Sequence, residues 1–155
     1  MRRLIWLMAV PGLIAAGCGG NTGVAVDKPW ARNSPGMATS GAVYMNLESS
    51  GGDRLIGASV AAGIAAKVEI HQTAMAGGDS GDDPEGGMDG AMTMREVGEI
   101  DLPAGTTVNL EPGGFHIMLL DIADPLELGQ KFEVTLTFET SLERVVEVEV
   151  REEAP

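Results

Sequence analysis

Cysteine, basic residues and aromatic side chains are all scarce in this sequence. The single cysteine, Cys18, excludes an internal disulfide. The chain has 10 Lys and Arg against 23 Asp and Glu, giving a formal net charge of −13. Such a charge argues against nucleic-acid binding, which requires a basic surface. Aromatic residues make up 4% of the chain, which contains 22 glycines among 155 residues. We therefore expect one turn-rich domain with a modest core.

The N-terminal segment has the composition of an export signal. Arg2 and Arg3 precede an apolar run from Leu4 to Ala16, which is too short for an ordinary membrane-spanning helix. Residues 1–17 are therefore predicted to be a signal peptide. The small residues directly before Cys18 resemble a bacterial lipobox, so we predict that Cys18 is lipidated and anchors the protein to a membrane, in the periplasm or elsewhere outside the cytoplasm. An ordinary secreted protein with an incidental cysteine is the alternative.

The rest of the chain is predicted to be a short tether at 18–23 followed by one β domain at 24–151. Apolar and polar residues alternate in several short segments separated by glycine-rich or proline-rich turns, which is the pattern of half-buried strands. Many short strands at this spacing indicate an all-β sandwich or barrel. The predicted strands are 42–47, 55–60, 67–71, 107–110, 115–121, 131–139 and 146–151.

One segment interrupts the strand pattern. Residues 77–90 read GGDSGDDPEGGMDG and contain five acidic residues and almost no side chain that could be buried. We interpret them as an acidic, glycine-rich surface loop. A calcium-binding loop is the alternative, although the spacing of its acidic residues differs from that of an EF-hand.

Histidine and methionine carry the chemical signal. The only histidines are His71 and His116, and most methionines outside the signal peptide fall between His71 and Met118. Residues two apart on a strand share a face, so His116 and Met118 are expected to point the same way. Met92 and Met94 repeat this spacing. Two such pairs, brought together with His71 at one end of a sandwich, could surround an ion.

The ligand types indicate which ion that would be. A thioether is neutral, soft and polarizable, and together with imidazole it favours Cu(I) over Mg²⁺, Ca²⁺ or Zn²⁺. Thioethers also avoid the oxidation to disulfides that threatens a thiol site outside the cytoplasm. The alternative interpretation is that each methionine fills the core or a loop, as methionine commonly does.

Several segments resemble the periplasmic PCu(A)C copper chaperones. They are KPWARNSPGMATSGAVYMNLES, EIHQTAM, MTMREV and LPAGTTVNLEPGGFHIMLLDIADPLELGQKFEVTLTFE. The resemblance covers most of the chain from about residue 24 to residue 150. It implies a cupredoxin-like Greek-key β-sandwich that binds Cu(I) through His71, Met94, His116 and Met118.

The spacing of the implied ligands departs from the family at one point. Met94 and His116 are separated by the 21 residues of the family motif, whereas His71 and Met94 are separated by 22 residues instead of ten. The surplus corresponds to the acidic loop, and loop-closure entropy rises by only about 0.7 kcal/mol for such a lengthening. The insertion is therefore tolerable, and it offers Met75, Met88 and Met92 as alternative ligands.

The resemblance also implies a function. The family passes Cu(I) to copper-site assembly in the respiratory oxidase, notably to the dinuclear copper centre of subunit II, and another copper-assembly protein is a possible partner. An electron-transfer cupredoxin would need a His₂Cys site, for which no cysteine remains beyond Cys18. The chain has no G-x-S-x-G or H-E-x-x-H motif, so we expect no enzyme. A metal-independent β-sandwich lipoprotein that acts as a protein-interaction module is the competing hypothesis.

Overall fold

The computed structural model describes residues 23–34, 36–75 and 92–155. The predicted signal peptide, Cys18 and the acidic loop at 77–90 lie outside these residues. Within the described part of the chain, no helix has the length and apolar character needed to cross a membrane. The ten strands in chain order are β1 (Val24–Arg32), β2 (Ser40–Ser49), β3 (Asp53–Val60), β4 (Ala65–Met75), β5 (Met92–Glu96), β6 (Ile100–Leu102), β7 (Thr107–Leu110), β8 (Phe115–Ile122), β9 (Lys131–Phe138) and β10 (Arg144–Arg151).

The strands are hydrogen-bonded in the order β5-β4-β8-β7-β2-β1-β10-β9-β3-β6. Strand β2 pairs with β8 through residues 40–43 and with β7 through residues 45–48. Strand β1 is antiparallel to β2 and parallel to β10, and it thereby joins the β4–β8–β2 side of the fold to the β9–β3 side. Strand β8 thus lies in the interior of the sheet, whereas β5 forms one edge.

One apolar core is enclosed by both sides of the fold. Ile117 and Leu119 of β8 and Leu55 of β3 belong to the same buried cluster, and each is fully buried. The regular alternation of buried and exposed residues on β9 shows why these segments form strands, because every second side chain enters the core. The opposite face of β8 therefore carries His116 and Met118 away from Ile117 and Leu119.

The structure confirms the all-β prediction, and each predicted strand corresponds to an observed one. Strands β1, β5 and β6 had not been predicted. Strand β1 contains a bulge between Asp27 and Trp30, with Lys28 at a φ of 49° before Pro29, so its side chains do not alternate regularly. All five residues of β5 are exposed, and β6 has only three residues, so neither presents a recognisable apolar pattern.

Candidate metal centre

The two histidines face each other across neighbouring strands. His71 of β4 is paired directly with His116 of β8, and their ring centroids are 5.8 Å apart. Directly opposed residues of paired strands project from the same face of a sheet, so this pairing brings together two imidazoles that are separated by 44 residues in the sequence. Val68 and Ile70 of β4 alternate with Glu69 and His71, as period-two geometry requires.

The methionines lie on the same face as the histidines. Met118 is opposite Glu69 and follows His116 by two residues on β8. Met94 is opposite Thr73, which follows His71 by two residues on β4. The four implied ligands therefore occupy one patch of β5, β4 and β8, although three different strands supply them.

The alternative methionines differ in how close they come to this patch. Met92 shares a face with Met94, and both line a groove of about 450 Å³ together with His116 and Met118. Met92 and Met94 are 61% and 62% exposed. Met75 is paired in register with Met92 at the end of β4. Met88 lies outside the described residues.

The turn before β8 orients the ring of His116. Gly113 has a φ of 87°, a conformation that glycine adopts without steric cost. The next carbonyl, that of Gly114, accepts a hydrogen bond from the backbone N–H of Thr73 at 3.0 Å and one from the Nδ1–H of His116 at 3.1 Å. A carbonyl can only accept, so the proton is assigned to Nδ1 and the lone pair to Nε2.

Burial keeps His116 neutral. Its side chain is 4% exposed, and burial lowers the pKa of the imidazole below its ordinary value of 6.5. The hydrogen bond to Gly114 raises this pKa and the nearby His71 lowers it further, but burial is the largest cause. The ring therefore retains a free lone pair at neutral pH, as a metal ligand must.

In His71 the hydrogen-bonded ring nitrogen is Nε2, whereas in His116 it is Nδ1. The Nε2 of His71 is 2.6 Å from Oε2 of Glu69, and a carboxylate oxygen can only accept, so Nε2 carries the proton. Its Nδ1 is buried and has no hydrogen-bond partner among the described residues. A buried nitrogen that is left without a partner is costly, and it needs an explanation such as a metal ion that completes the site.

Two paired aromatic rings, on β2 and β1, lie beside His116. Tyr44 of β2 lies 6.3 Å from His116 between ring centroids, and Trp30 of β1 lies 4.8 Å from Tyr44. Burial raises the pKa of the Tyr44 hydroxyl, an effect that the neighbouring Arg32 opposes. Tyr44 lines the same groove as His116, Met92 and Met94, whereas Trp30 is buried beside it.

In the described part of the chain, no three His, Cys, Asp or Glu side chains form a cluster that could hold a metal ion. The donors available beside the two imidazoles are thioethers, which favour a soft monovalent ion. Sequence reasoning had identified the histidines and methionines but neither Glu69 nor the Gly114 carbonyl. The placement of Glu69 two residues before His71 on a predicted strand was the signal that could have identified it.

Solved structures of related domains have the same fold. The copper-bound PCuAC domain from PmoF2 is 28% identical, with a TM-score of 0.61 over 85% of this chain and 93% of that domain. The apo PCuAC domain from PmoF1 is 26% identical, with a TM-score of 0.62 over 85% and 94%. The solution structure of CuI-DR1885 from Deinococcus radiodurans is 26% identical, with a TM-score of 0.59 over 89% and 86%. Together, fold and site define a PCuAC-type domain with a cupredoxin-like β-sandwich.

Sequence comparison identifies the family within this class. Residues 24–150 match the LpqE-like family, described as "Putative lipoprotein LpqE-like", and the chain belongs to this family. The "Putative lipoprotein Lxx21020" of Leifsonia xyli subsp. xyli is 32% identical over 131 residues, which are 84% of this chain and 70% of that protein. A protein of Rickettsia prowazekii is 26% identical over 135 residues, 83% of this chain and 66% of its own length.

Proposed function

We propose that this protein is an extracytoplasmic copper chaperone that binds one Cu(I) ion through His71, Met94, His116 and Met118. The observation that carries the proposal is the paired histidines, whose rings lie 5.8 Å apart and each have one nitrogen hydrogen-bonded and one free. Histidine ligands of metals commonly use the second ring N–H in this way, to fix the orientation of the ring.

The choice of Cu(I) follows from the sulfur donors and is supported by the relatives. Met94 and Met118 line one groove with His116, and thioethers with imidazoles suit Cu(I). Two solved relatives with the same fold are a copper-bound PCuAC domain and the Cu(I) form of DR1885. Met92 is an alternative sulfur ligand, because it lines the same groove.

A role in transfer is supported by the uneven exposure of the ligands. His116 is buried, whereas Met94 is largely exposed on an edge strand. A partner can therefore replace the accessible thioether first and leave the less exposed imidazoles until last. We propose that the acceptor is the dinuclear copper centre of subunit II of the respiratory oxidase or another copper-assembly protein.

The proposed location is the periplasm or another compartment outside the cytoplasm, with the protein anchored to a membrane. Cys18 follows a predicted signal peptide at 1–17, and the matched family and a relative are described as lipoproteins. Lipidation of Cys18 would hold the copper site near membrane-bound acceptors. Mass spectrometry of the purified mature protein tests this, because acylation adds a defined mass to a chain that begins at Cys18.

Titration with Cu(I) in the presence of a competing chelator tests the proposed site. We expect one tightly bound ion per chain, with loss of tight binding in the His116→Ala/Met118→Ala double variant. Met37→Ala is the matched control, since Met37 is fully exposed on a loop and is not part of the proposed set. Binding that is unchanged in the double variant, or no tight binding by the wild-type chain, would contradict the proposal.

A protein-interaction module that needs no metal is the second candidate. Leu142, in the connection between β9 and β10, and Val145, on β10, are exposed apolar residues, and neither strand contributes a proposed ligand. Exposed apolar residues mark docking surfaces when they form a contiguous patch. This candidate predicts that physiological function survives in the His116→Ala/Met118→Ala variant and is lost in Leu142→Ser/Val145→Ser.

A further inference from the structure

Glu69 is the charged group nearest to the proposed copper ligands. It lies two residues before His71 on the same face of β4, directly opposite Met118. Its side chain is only 9% exposed, and its Oε2 accepts the Nε2–H of His71 at 2.6 Å. Metal-bound histidines commonly donate their second ring N–H to a carboxylate. Glu69 is placed to accept such a bond from His71.

The second carboxylate oxygen is also engaged. Oε1 of Glu69 forms an ion pair with the ammonium of Lys67, which precedes it by two residues on the same face. Both oxygens therefore have partners, and the carboxylate is held from two sides. Lys67, Glu69 and His71 form a continuous row along β4 that ends at the free Nδ1 of His71.

We propose that Glu69 is a positioning residue that holds His71 in the Nε2–H tautomer, with the Nδ1 lone pair directed at the copper. His71 would then bind through Nδ1, whereas His116, whose Nδ1 donates to Gly114, would bind through Nε2. The copper part of this inference rests on the proposed function, but the tautomer of His71 is a property of the copper-free protein.

The energetic reason is preorganisation. In solution an imidazole rotates about its side-chain bonds and exchanges between two tautomers, so ordering it costs part of the binding free energy of the metal. The carboxylate imposes one ring orientation and one tautomer before copper arrives. It also leaves the buried Nδ1 without a hydrogen-bond partner, and this is a state that copper binding relieves.

Glu96 provides a matched comparison within the same site. It is paired with His71 from the other side, on β5, but it is exposed and has no hydrogen bond to the ring among the described contacts. Glu69→Gln and Glu96→Gln therefore each remove one negative charge near His71, the first two residues before it on β4 and the second directly opposite it on β5. Only the first replaces the carboxylate that accepts the Nε2 proton by an amide, which can also donate to this nitrogen.

The first measurement is the tautomer of His71 in the ¹⁵N-labelled, copper-free full-length protein, read from two-bond ¹H–¹⁵N spectra of the ring. We expect an unprotonated Nδ1 in the wild type and in Glu96→Gln. In Glu69→Gln the amide oxygen can take Lys67, so its NH₂ group can donate to Nε2 and the Nδ1–H tautomer should be populated. In Glu69→Ala neither tautomer has a partner, and we expect a mixture.

The second measurement is the Cu(I) dissociation constant of the same proteins. Loss of an outer partner of a metal-bound histidine commonly weakens metal affinity by about 10–100-fold, and we expect this for Glu69→Ala and Glu69→Gln but not for Glu96→Gln. Glu69→Gln is nearly isosteric, so it carries the test if the alanine variant fails to fold.

Two results would overturn the inference: a wild-type His71 tautomer in both Glu69 variants, or equal losses of affinity in Glu69→Gln and Glu96→Gln. In the second case the charge near the site would matter and its position would not. Absence of tight Cu(I) binding by the wild-type protein would instead refute the proposed function. The tautomer spectra would still decide whether Glu69 positions His71.

Discussion

The proposed copper site has two halves that differ in rigidity. His71 and His116 lie on β4 and β8, each of which is hydrogen-bonded to strands on both sides, and both rings are oriented by further hydrogen bonds. Met94 lies with Met92 on the edge strand β5, and both side chains are largely exposed. One half is therefore preorganised and the other is adaptable, which is a suitable combination for an ion that must be held and then released.

The difference in rigidity also explains why the proposed histidine ligands lie on interior strands and a proposed methionine ligand lies on the edge strand. An imidazole must present one particular nitrogen and stay neutral, and both requirements need a fixed environment. A thioether carries no proton and has a flexible side chain, so it can reach an ion from an exposed strand and withdraw without any change in charge. Transfer that begins at β5 would leave the histidine pair undisturbed until the partner's ligands are in place.

The largest expected effect concerns the preorganised half. We expect His116→Ala to weaken Cu(I) binding by at least about 100-fold, or about 2.7 kcal/mol, because it removes a neutral ligand that no other described side chain can replace. Competition titration against a Cu(I) chelator measures the loss. A change of less than tenfold would place the main ligands elsewhere and would remove the contrast between the two halves.

A smaller effect, a loss of folding stability without loss of copper affinity, is expected on β3, which supplies no proposed ligand. Asp53 of β3 accepts hydrogen bonds from the backbone N–H groups of Thr140 and Ser141, and these bonds and that of Arg54 lower the carboxyl pKa well below its usual range, although desolvation opposes them. Replacing Asp53 by alanine should reduce the free energy of unfolding by about 2 kcal/mol.

The Asp53→Ala variant also tests whether stability and copper affinity are independent. Urea unfolding measures the first and chelator competition the second. We expect the Cu(I) dissociation constant to remain that of the wild type, because Asp53 lies on strands that supply no proposed ligand. A parallel loss of copper affinity would show that the site depends on global stability instead of on its local hydrogen bonds.

The adaptable half should respond more weakly. We expect Met94→Leu to reduce Cu(I) affinity by about tenfold, or 1.4 kcal/mol, because it removes one sulfur while preserving side-chain volume. Its effect on the free energy of unfolding should stay within about 0.5 kcal/mol, since the side chain is exposed. Met92→Leu is the matched control two residues earlier on β5, and X-ray absorption at the copper edge distinguishes their sulfur counts.

If Met92→Leu weakens Cu(I) binding more than Met94→Leu, then Met92 is the sulfur ligand on β5 and Met94 is not. If both single variants bind as the wild type and only the double variant is weakened, then either sulfur can complete the site. That result would sharpen the comparison, because it would show directly that the β5 half tolerates substitution while the histidine half does not.

The smallest expected effect is the pH dependence of the metal-free protein. Burial lowers the pKa of His116 below 6.5 in the folded state, so the unfolded chain takes up this proton first as the pH falls. The free energy of unfolding should therefore have its full value above about pH 6.5 and should decrease as the pH falls through 6.5 towards the lower folded-state pKa.

Urea titrations of the wild type and of His116→Gln at several pH values between 5 and 7.5 measure this contribution. The difference between the two proteins should shrink as the pH falls. A constant difference over the whole range would show that burial does not shift the His116 pKa, and it would remove one reason for regarding this ring as the rigid partner.

The sequence predicted strands where apolar and polar residues alternate over several positions. On β9 the residues Phe132, Val134, Leu136 and Phe138 all enter the core, and the strand was recognised from this alternation. Strand β5 could not be recognised in this way, because all five of its residues are exposed and β4 is the one strand it pairs with among the described residues. Strand β1 was missed because a bulge and Pro29 interrupt its periodicity.

The candidate site could be predicted only in part. The spacing of Met94, His116 and Met118 along the sequence matches a known motif. The spacing between His71 and Met94 does not, because a loop is inserted between them. The register between β4 and β8 brings His71 opposite His116 despite the insertion, since the insertion lies between β4 and β5. Glu69 lies two residues before His71 on a predicted strand, but only the structure shows that its carboxylate is hydrogen-bonded to the ring.

By itself, the sequence determined the all-β architecture, the acidic character and the residue types of the proposed donors, because these follow from composition and from local periodicity. The tertiary structure alone decided which donors meet, which ring nitrogens are free and which methionines are accessible. Those properties depend on strand register and burial, and these are set by contacts between residues that are distant in sequence.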